Sequence, residues 1–313
     1  MIREVHIVKV IGIGDNVCDQ YVHLQTMFPG GQALNFAVYA KMLGISSAFM
    51  GVFGRDEVAE HVVATLDTLG VERSRCRQYD GENGCARVNL VDGDRVFLGS
   101  NRGGIMKEKP IVLTDEDLEY IKGFSHIHTS NNSYFDSQLE KAASTGVPIS
   151  YDFSGQWTDS GKVAAVAPYV EYVFLSCGSV SGEEAEDICK NMYAAGCKNI
   201  IATRGSHGAV FYNGVDFYTQ PPRLVEAVDT LGAGDSFATA FLISMTKSKE
   251  KDPLRMKKDK EFYQAELKKA LLNGAEFAAK TCMVYGAFGH GKTFTVGEAT
   301  KTWPVFGEPS RHA

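Results

Sequence analysis

The sequence contains no apolar run near the ~18 residues needed to span a bilayer, and no block of basic residues. Lysine and arginine number 32 against 38 acids, a formal net charge of −6. There is thus no cationic field to draw in nucleic acid or an anionic membrane surface, and phosphate-bearing ligands must be held by local backbone and a few cations. Cysteine is odd in number, at 18, 76, 85, 177, 189, 197 and 282, and no Cys-x-x-Cys pair occurs. That excludes an evident disulfide framework or zinc site and fits reduced thiols in a cytoplasmic protein. The opening run Val5-His6-Ile7-Val8-Lys9-Val10-Ile11 is strand-like and lacks the layout of a secretion signal, which points the same way. No repeat at fixed spacing is present.

What is present is ordinary for a soluble enzyme: 44% hydrophobic and 22% charged residues over 313 positions, enough to bury a sizeable core without staples. The length allows two domains or one large α/β domain. Short β-branched runs at 5–13, 47–53, 124–129, 147–153, 171–175, 198–203 and 208–212 alternate with helical patterns near 32–43, 56–69, 133–145, 159–167, 182–195, 233–247 and 261–282. Such alternation predicts a mostly parallel sheet covered on both faces, with ligands beyond the carboxyl ends of the strands. Two segments break the rhythm. Residues 16–30 have an extended look, and 84–102 contain a hairpin, Val88-Asn89-Leu90-Val91 and Arg95-Val96-Phe97-Leu98 about Asp92-Gly93-Asp94. Without helices to cover them, they are expected to form a small β-sheet lid beside one main domain over 1–313. The charged stretch 247–261 is expected to be a solvated surface insert, a loop.

The most informative stretch is Asp229-Thr230-Leu231-Gly232-Ala233-Gly234-Asp235-Ser236-Phe237, which leads into the helix-forming Ala238-Thr239-Ala240-Phe241-Leu242. Gly232, Ala233 and Gly234 are therefore expected where a loop becomes a helix N-terminus. The amides of a first helical turn lack internal partners and the helix dipole is positive there, so the place binds anions. Small residues let backbone approach a phosphate closely. A carboxylate beside bound phosphate repels it unless it has a task. The task that fits is general base: Asp235 accepts the proton of an attacking hydroxyl while the amides stabilise charge on a γ-phosphoryl group. Taken alone, Gly-x-Gly-Asp equally fits an ordinary helix cap.

Asp229-Thr230-x-Gly232-Ala233-Gly234-Asp235 resembles the C-terminal signature of the ribokinase-like (pfkB) carbohydrate kinases. Gly30-Gly31, Asn35, Ala37, Leu43-Gly44 and Gly54-x-Asp56 resemble the N-terminal one, and Gly14 with Asp19 its opening motif. Two signatures in the right order, ~200 residues apart, are far more specific than either alone. The resemblance covers roughly residues 5–292. It implies a three-layer α/β/α sandwich with a β-lid, ATP with Mg²⁺ as the phosphoryl donor, and Asp235 as base with Gly232, Ala233 and Gly234 as anion hole. It further implies that Asp19, Gly30, Gly31 and Asn35 contact sugar hydroxyls, and that two copies pair through the lid. Arg95 on the hairpin is a further candidate for the substrate, with a surface ion pair as its alternative. For Asp19 a turn residue, and for Asn35 a helix-start residue, stay open.

On the nucleotide side, Thr203-Arg204-Gly205-x-x-Gly208 resembles the family's turn under the ATP phosphates, and Asn273, Gly274 and Ala278 lie on the late helix that lines the adenine pocket in relatives. Asp229 is a candidate for a monovalent cation such as K⁺. Many relatives carry Asn-x-x-Glu after the strand at 171–175, supporting the magnesium water shell. Here the segment reads Ser176-Cys177-Gly178-Ser179, with acids only at Glu183 and Glu184. The protein groups serving Mg²⁺ are thereby left open, since that ion is held largely by water and substrate phosphates.

Gly286-Ala287-Phe288-Gly289-His290-Gly291-Lys292-Thr293 matches the P-loop pattern letter for letter. A P-loop follows a strand and opens a helix, whereas this stretch follows a long helical pattern and runs into strand-like Thr293-Phe294-Thr295-Val296. It is expected instead to be a Gly-rich loop near the ATP or cation site. His126 and His128 alternate on a strand with no third metal ligand evident, so buried core histidines are expected. Asp152-Phe153-Ser154, with Trp157, ends a strand on the ligand side.

Within the family, Gly14-Asp15-Asn16 with Asp19, Phe28-x-Gly30-Gly31-x-Ala33-x-Asn35, Asp94-Arg95-Val96-Phe97 and Tyr285-Gly286-Ala287 resemble the bacterial kinases that phosphorylate the 6-hydroxyl of fructosamines such as fructoselysine. A negative surface suits a substrate with a cationic lysyl part. Kinases of fructose, 2-keto-3-deoxygluconate or a nucleoside, and a non-catalytic sugar or nucleotide sensor on the same fold, stay as alternatives.

Overall fold

Alternation along each strand decides which residues face which layer. In the computed structural model, residues 7–91 and 94–295 are described, the side chains of 90, 91 and 94–97 excepted. Fourteen strands, β1 to β14 in chain order, occur among them. Nine form one sheet: β1 (Lys9–Gly14), β4 (Ser46–Phe53), β5 (Arg77–Gln78), β8 (His126–Ser130), β9 (Ile149–Ser154), β10 (Tyr172–Ser176), β11 (Asn199–Thr203), β12 (Ala209–Tyr212) and β13 (Phe217–Gln220). Their order is β13-β12-β11-β10-β9-β8-β1-β4-β5, parallel except for the antiparallel β12 and β13. Val173 and Leu175 of β10 point into one hydrophobic cluster, Tyr172 and Phe174 into another, and β1 divides Ile11 and Ile13 from Val10 in the same way.

Helices cover both faces, which makes the predicted three-layer sandwich. On one face the helices Gln32–Met42, Ala233–Lys251 and Lys260–Thr281 contribute Phe36, Phe241 and Leu271. On the other, helices at 115–121, 139–143, 160–166 and 182–194 contribute Ile121, Leu139, Val163 and Cys189. The helix Gln32–Met42 lies close on the sheet because β1 carries Gly12 beneath it; a Cβ there would stand 2.0 Å from the Ala33 carbonyl oxygen.

The second sheet has five strands in the order β14-β3-β2-β6-β7, built from β2 (Val17–Tyr21), β3 (Thr26–Gly30), β6 (Gly84–Val91), β7 (Asp94–Ser100) and β14 (Lys292–Thr293). Both expected segments enter it, and β14 is an addition: it pairs Lys292 with Met27, antiparallel to β3. The two sheets are joined by buried asparagines. Asn83 donates to Asn16 Oδ1 at 2.8 Å and accepts from Gly54 N at 3.1 Å, while Asn16 donates to the Val52 carbonyl at 2.8 Å.

One expectation fails. Residues 247–261 are helical, not a loop: the long helix runs on to Lys251, and helices Pro253–Lys258 and Lys260–Thr281 follow. Asp252 and Asp259 each cap the next helix, accepting from Arg255 N and Phe262 N. The charges that suggested a loop are the outer face and caps of this helical corner. All seven cysteines are free thiols, and no described helix is long and apolar enough to cross a membrane.

Candidate active site

The helix Ala233–Lys251 begins where the sequence places it, with Gly232 as its N-cap in the left-handed region at φ 74°. A Cβ on Gly232 would meet the Tyr39 hydroxyl at 2.5 Å and Ala287 Cβ at 2.9 Å, so glycine is required there by conformation and by space together. Gly234 is the opposite case: a Cβ would meet nothing within 4 Å. The Ala233 amide donates to the Thr230 carbonyl at 3.3 Å, while Gly232, Ala233 and Gly234 all line a cavity.

Asp235 stands half-buried on that turn and accepts from Asn35 Nδ2 at 2.6 Å. Burial raises its carboxyl to about 6; the Asn35 hydrogen bond opposes the shift and the charge of Asp15 adds to it. Asn35 belongs to the first turns of Gln32–Met42, and its Oδ1 is buried without a protein partner. Asp19 on β2 and Gly30 at the end of β3 meet there: a Cβ on Gly30 would lie 3.0 Å from Asp19 Oδ2 and 3.9 Å from Asn35 Oδ1. Gly31, with φ 112°, is the N-cap of the same helix. Asp19, Gly30, Gly31, Asn35 and Asp235 are thus one cluster. Arg95 lies on β7 opposite Leu90, and its side chain is outside the described residues.

Two cavities meet at the helix start. One, of about 280 Å³, is lined by Gln32, Asp152, Ser154, Ser176, Gly232 and Asp235, among others. The other, of about 300 Å³ and mainly apolar, is lined by Gly205, Gly208, Pro222, Leu224, Phe237 and Ala278, among others. Thr203, Thr230, Ala233 and Gly234 belong to both. A ligand lying in the apolar cavity can therefore reach this helix start and present its end to Asp235.

Asp152 is the acid across the first cavity. Burial raises its carboxyl to about 7, the Asp235 charge adds to the shift, and hydrogen bonds from Ser154 N and the Gln32 side chain pull against it. The sequence marks Asp152 as the end of a strand on the ligand side and, with Phe153, Ser154 and Trp157, as part of the resemblance, but gives it no role. Gln32 carries no sequence signal of its own, and Asp15 only its place in the Gly14-Asp15-Asn16 resemblance, because what they touch depends on which strand lies beside β1.

Two expectations need correction. Asn273 faces away from the nucleotide-side cavity: its Nδ2 donates to Ser244 Oγ at 2.9 Å, on the wall of a separate cavity of about 600 Å³. Gly274 is packed behind, 3.0 Å from the Phe237 ring at its would-be Cβ, while Ala275, Ala278 and Ala279 of the same helix do line the cavity. Helical periodicity, not proximity in sequence, selects the lining face. Asp229 lies among hydrogen-bond donors. It accepts from Tyr21 Oη at 2.5 Å, Leu231 N at 3.0 Å and Gly286 N at 2.9 Å, so it braces the loop before the helix.

The P-loop lookalike turns out to be that brace's other half. Tyr39 Oη donates to the Ala287 carbonyl at 2.5 Å, and Lys292 Nζ pairs with Glu57 at 3.0 Å. His126 and His128 are buried, both bonded to Ser150 Oγ at 2.9 and 2.8 Å, and burial lowers both rings' basicity. They are core residues, as expected.

Comparison with known proteins places the chain. The model of the pfkB family carbohydrate kinases matches residues 6–289. The chain is 39% identical to fructosamine kinase FrlD of Bacillus subtilis, over 94% of this chain and 99% of that protein. It is 29% identical to fructoselysine 6-kinase of Escherichia coli, over 88% of this chain and 98% of that protein. Among solved structures, Arabidopsis thaliana ribokinase complexed with ribose and ATP superposes with a TM-score of 0.71 at 19% identity, covering 90% of this chain and 94% of that one. Fructokinase with bound ATP from Xylella fastidiosa does so with the same score and coverage at 17% identity. By sequence match across nearly its whole length, and by a fold shared with such kinases, the chain belongs to the pfkB family of carbohydrate kinases.

Proposed function

We propose that the protein transfers the γ-phosphoryl group of ATP to the 6-hydroxyl of a fructosamine such as fructoselysine. The observation that carries this reading is Asp235, a carboxylate on the first turn of a helix whose N-terminus is the shared wall of two cavities. The adenosine end of ATP would lie against Pro222, Leu224 and Ala278, with the triphosphate reaching Gly232, Ala233 and Gly234. The sugar would lie under the five-stranded sheet, its hydroxyls received by Asp19, Gly30, Gly31 and Asn35. Asp235 removes the proton from the attacking hydroxyl. The sugar oxygen bonds to the γ-phosphorus, the bond to the bridging β-oxygen breaks, and its electron pair leaves with ADP. Free amides at the helix start offset the charge on the moving group.

The donor set fits a hydrated divalent cation. Asp152 and Asp235 share one cavity, no Lys, Arg or His among the described residues lines it, and both acids are raised by burial. Glu184 is turned elsewhere, accepting from Ser181 N at 2.8 Å in a capping box. Asp152 would hold Mg²⁺ through water, and the ion would draw charge off the phosphates when bound. The substrate class is supported by the two relatives that match this chain over nearly their full length and are named for fructosamine and fructoselysine.

The test is ADP formation from ATP with fructoselysine, fructose and ribose side by side. Fructoselysine is expected to have the highest kcat/KM, by on the order of 10-fold or more. A higher value for fructose or ribose reassigns the sugar. Sugar binding with no ADP formed from any of the three overturns the kinase chemistry for this chain.

A further inference from the structure

We infer that Asp15 is a positioning residue of the transfer site, fixing through one helix end Asn35, which bonds Asp235, and Gln32, which lines the cavity both acids share. This rests on the role proposed for Asp235.

Asp15 follows β1 at the point where that strand has β4 on one side and β8 on the other, the switch point of the sheet. Its side chain is buried, only 3% exposed. It accepts four hydrogen bonds from neutral donors: Gln32 N at 2.7 Å, Ala33 N at 3.1 Å, Ser130 Oγ at 3.0 Å and Ser133 Oγ at 2.9 Å. Its carbonyl accepts from Leu34 N at 3.3 Å, and a Cβ on Gly31 would press against that same oxygen at 2.7 Å. The helix Gln32–Met42 has no side-chain cap of its own, because its N-cap is Gly31. Its cap is borrowed from the sheet, and the loan fixes both the rotation and the height of the helix.

Two side chains depend on that setting. Gln32 and Asn35 are one turn apart and lie on neighbouring positions of one helix face. Gln32 lines the same cavity as Asp152, with its Oε1 accepting from Asn132 Nδ2 at 3.0 Å, and Asn35 Nδ2 donates to Asp235 Oδ2 at 2.6 Å. A buried carboxylate with only neutral donors is a poor source of stability, since desolvation opposes what the hydrogen bonds return. Three elements held in register at the acids is what this one supplies: β1, the serines after β8, and the helix that carries the amides.

The experiment compares Asp15→Ala and Asp15→Asn with the intact protein, in kcat and in KM for sugar and for ATP. Asp15→Ala is expected to lose about 10- to 100-fold in kcat and to raise the sugar KM, since small misplacements at a reacting centre have that size. KM for ATP should stay within about twofold, because Gly205, Gly208 and Ala278 are on elements Asp15 does not hold. Asp15→Asn should recover part of the kcat: with its amide oxygen in the Oδ1 place it still accepts from Ala33 N and both serine hydroxyls, and only the bond from Gln32 N is lost. A lower melting temperature in Asp15→Ala with all three kinetic constants unchanged makes the residue merely structural and overturns the inference. So do equal losses in both variants, which would assign the effect to charge. If Asp15→Ala does not fold, the Ser130→Ala, Ser133→Ala double variant loosens the same grip; it should lose kcat in the same direction, and an unchanged kcat is likewise fatal. Asp235→Asn serves as the separate control: turnover retained there removes the proposed base, whatever Asp15 does.

Discussion

Residues 232–235 and residues 286–293 are both glycine-rich, and they do opposite things. The later segment has the letters of a phosphate-binding loop, yet its lysine is engaged with Glu57 and its chain enters a strand, β14, against β3. The earlier segment lacks those letters, yet it opens a 19-residue helix with free volume over Gly234. What separates them is the direction of the chain that follows. A helix start aligns unpaired amides toward one point, whereas a strand spends its amides on its neighbour. The two also depend on each other: Ala287 packs behind Gly232, and Gly286 N donates to Asp229.

The sharpest way to break this contrast is Asp235→Asn. Turnover should fall by ~10² or more while the melting temperature and ATP binding stay near those of the parent; near-normal ADP formation would strip residues 232–235 of their role. Next is acidity. The Asp235 carboxyl sits at about 6 and must be ionised to take a proton, so kcat/KM should decline as pH falls through that value. A profile flat across it would assign the proton elsewhere.

A pair of glycine substitutions should then separate chemistry from bracing. Gly234→Ala adds a methyl to open space on an unstrained helical turn. Stability should hold or rise by up to ~1 kcal/mol, while kcat falls on the order of 10-fold as the methyl enters the anion's volume. Gly286→Ala forces a side chain onto φ 65° and to 2.6 Å from Phe28 Cβ. It should cost at least roughly 1 kcal/mol, read as a melting temperature lower by a few degrees. Loss of stability in the first, or none in the second, would erase the distinction. The smallest effect belongs to Lys292→Ala. An exposed ion pair is worth under about 1 kcal/mol, so KM for ATP should be unchanged; a rise of on the order of 10-fold would restore the P-loop interpretation.

The architecture, and the cluster proposed as the site, were legible in the sequence for identifiable reasons. β-Branched runs fixed nearly every strand of the large sheet. Gly232 and Gly31 were visible because left-handed backbone beside a helix start admits little else. Asp235 and Asn35 were visible through their spacing from those glycines. What stayed hidden depends on contacts between distant segments. Asp15 and Gln32 acquire roles only when β8 arrives beside β1 and β9 beside β8. Asn273 was misassigned because a helix shows each residue to one side only, and that side is set by packing against Phe237. The 247–261 corner was taken for a loop because its caps, Asp252 and Asp259, are spelled with the same charged letters as solvated coil.

The support behind Gly232 has a consequence for how the enzyme comes into being. The loop before Gly232 leaves the ribosome ahead of the segment that props it, since Gly286, Ala287 and β14 are translated after both the Ala233–Lys251 and Lys260–Thr281 helices. A nascent chain can lay down the whole large sheet and still have an unbacked anion site and a four-stranded second sheet. Fragments ending ahead of residue 286 should therefore fold in large part yet transfer no phosphate, so that half-made copies in the cell would not consume ATP.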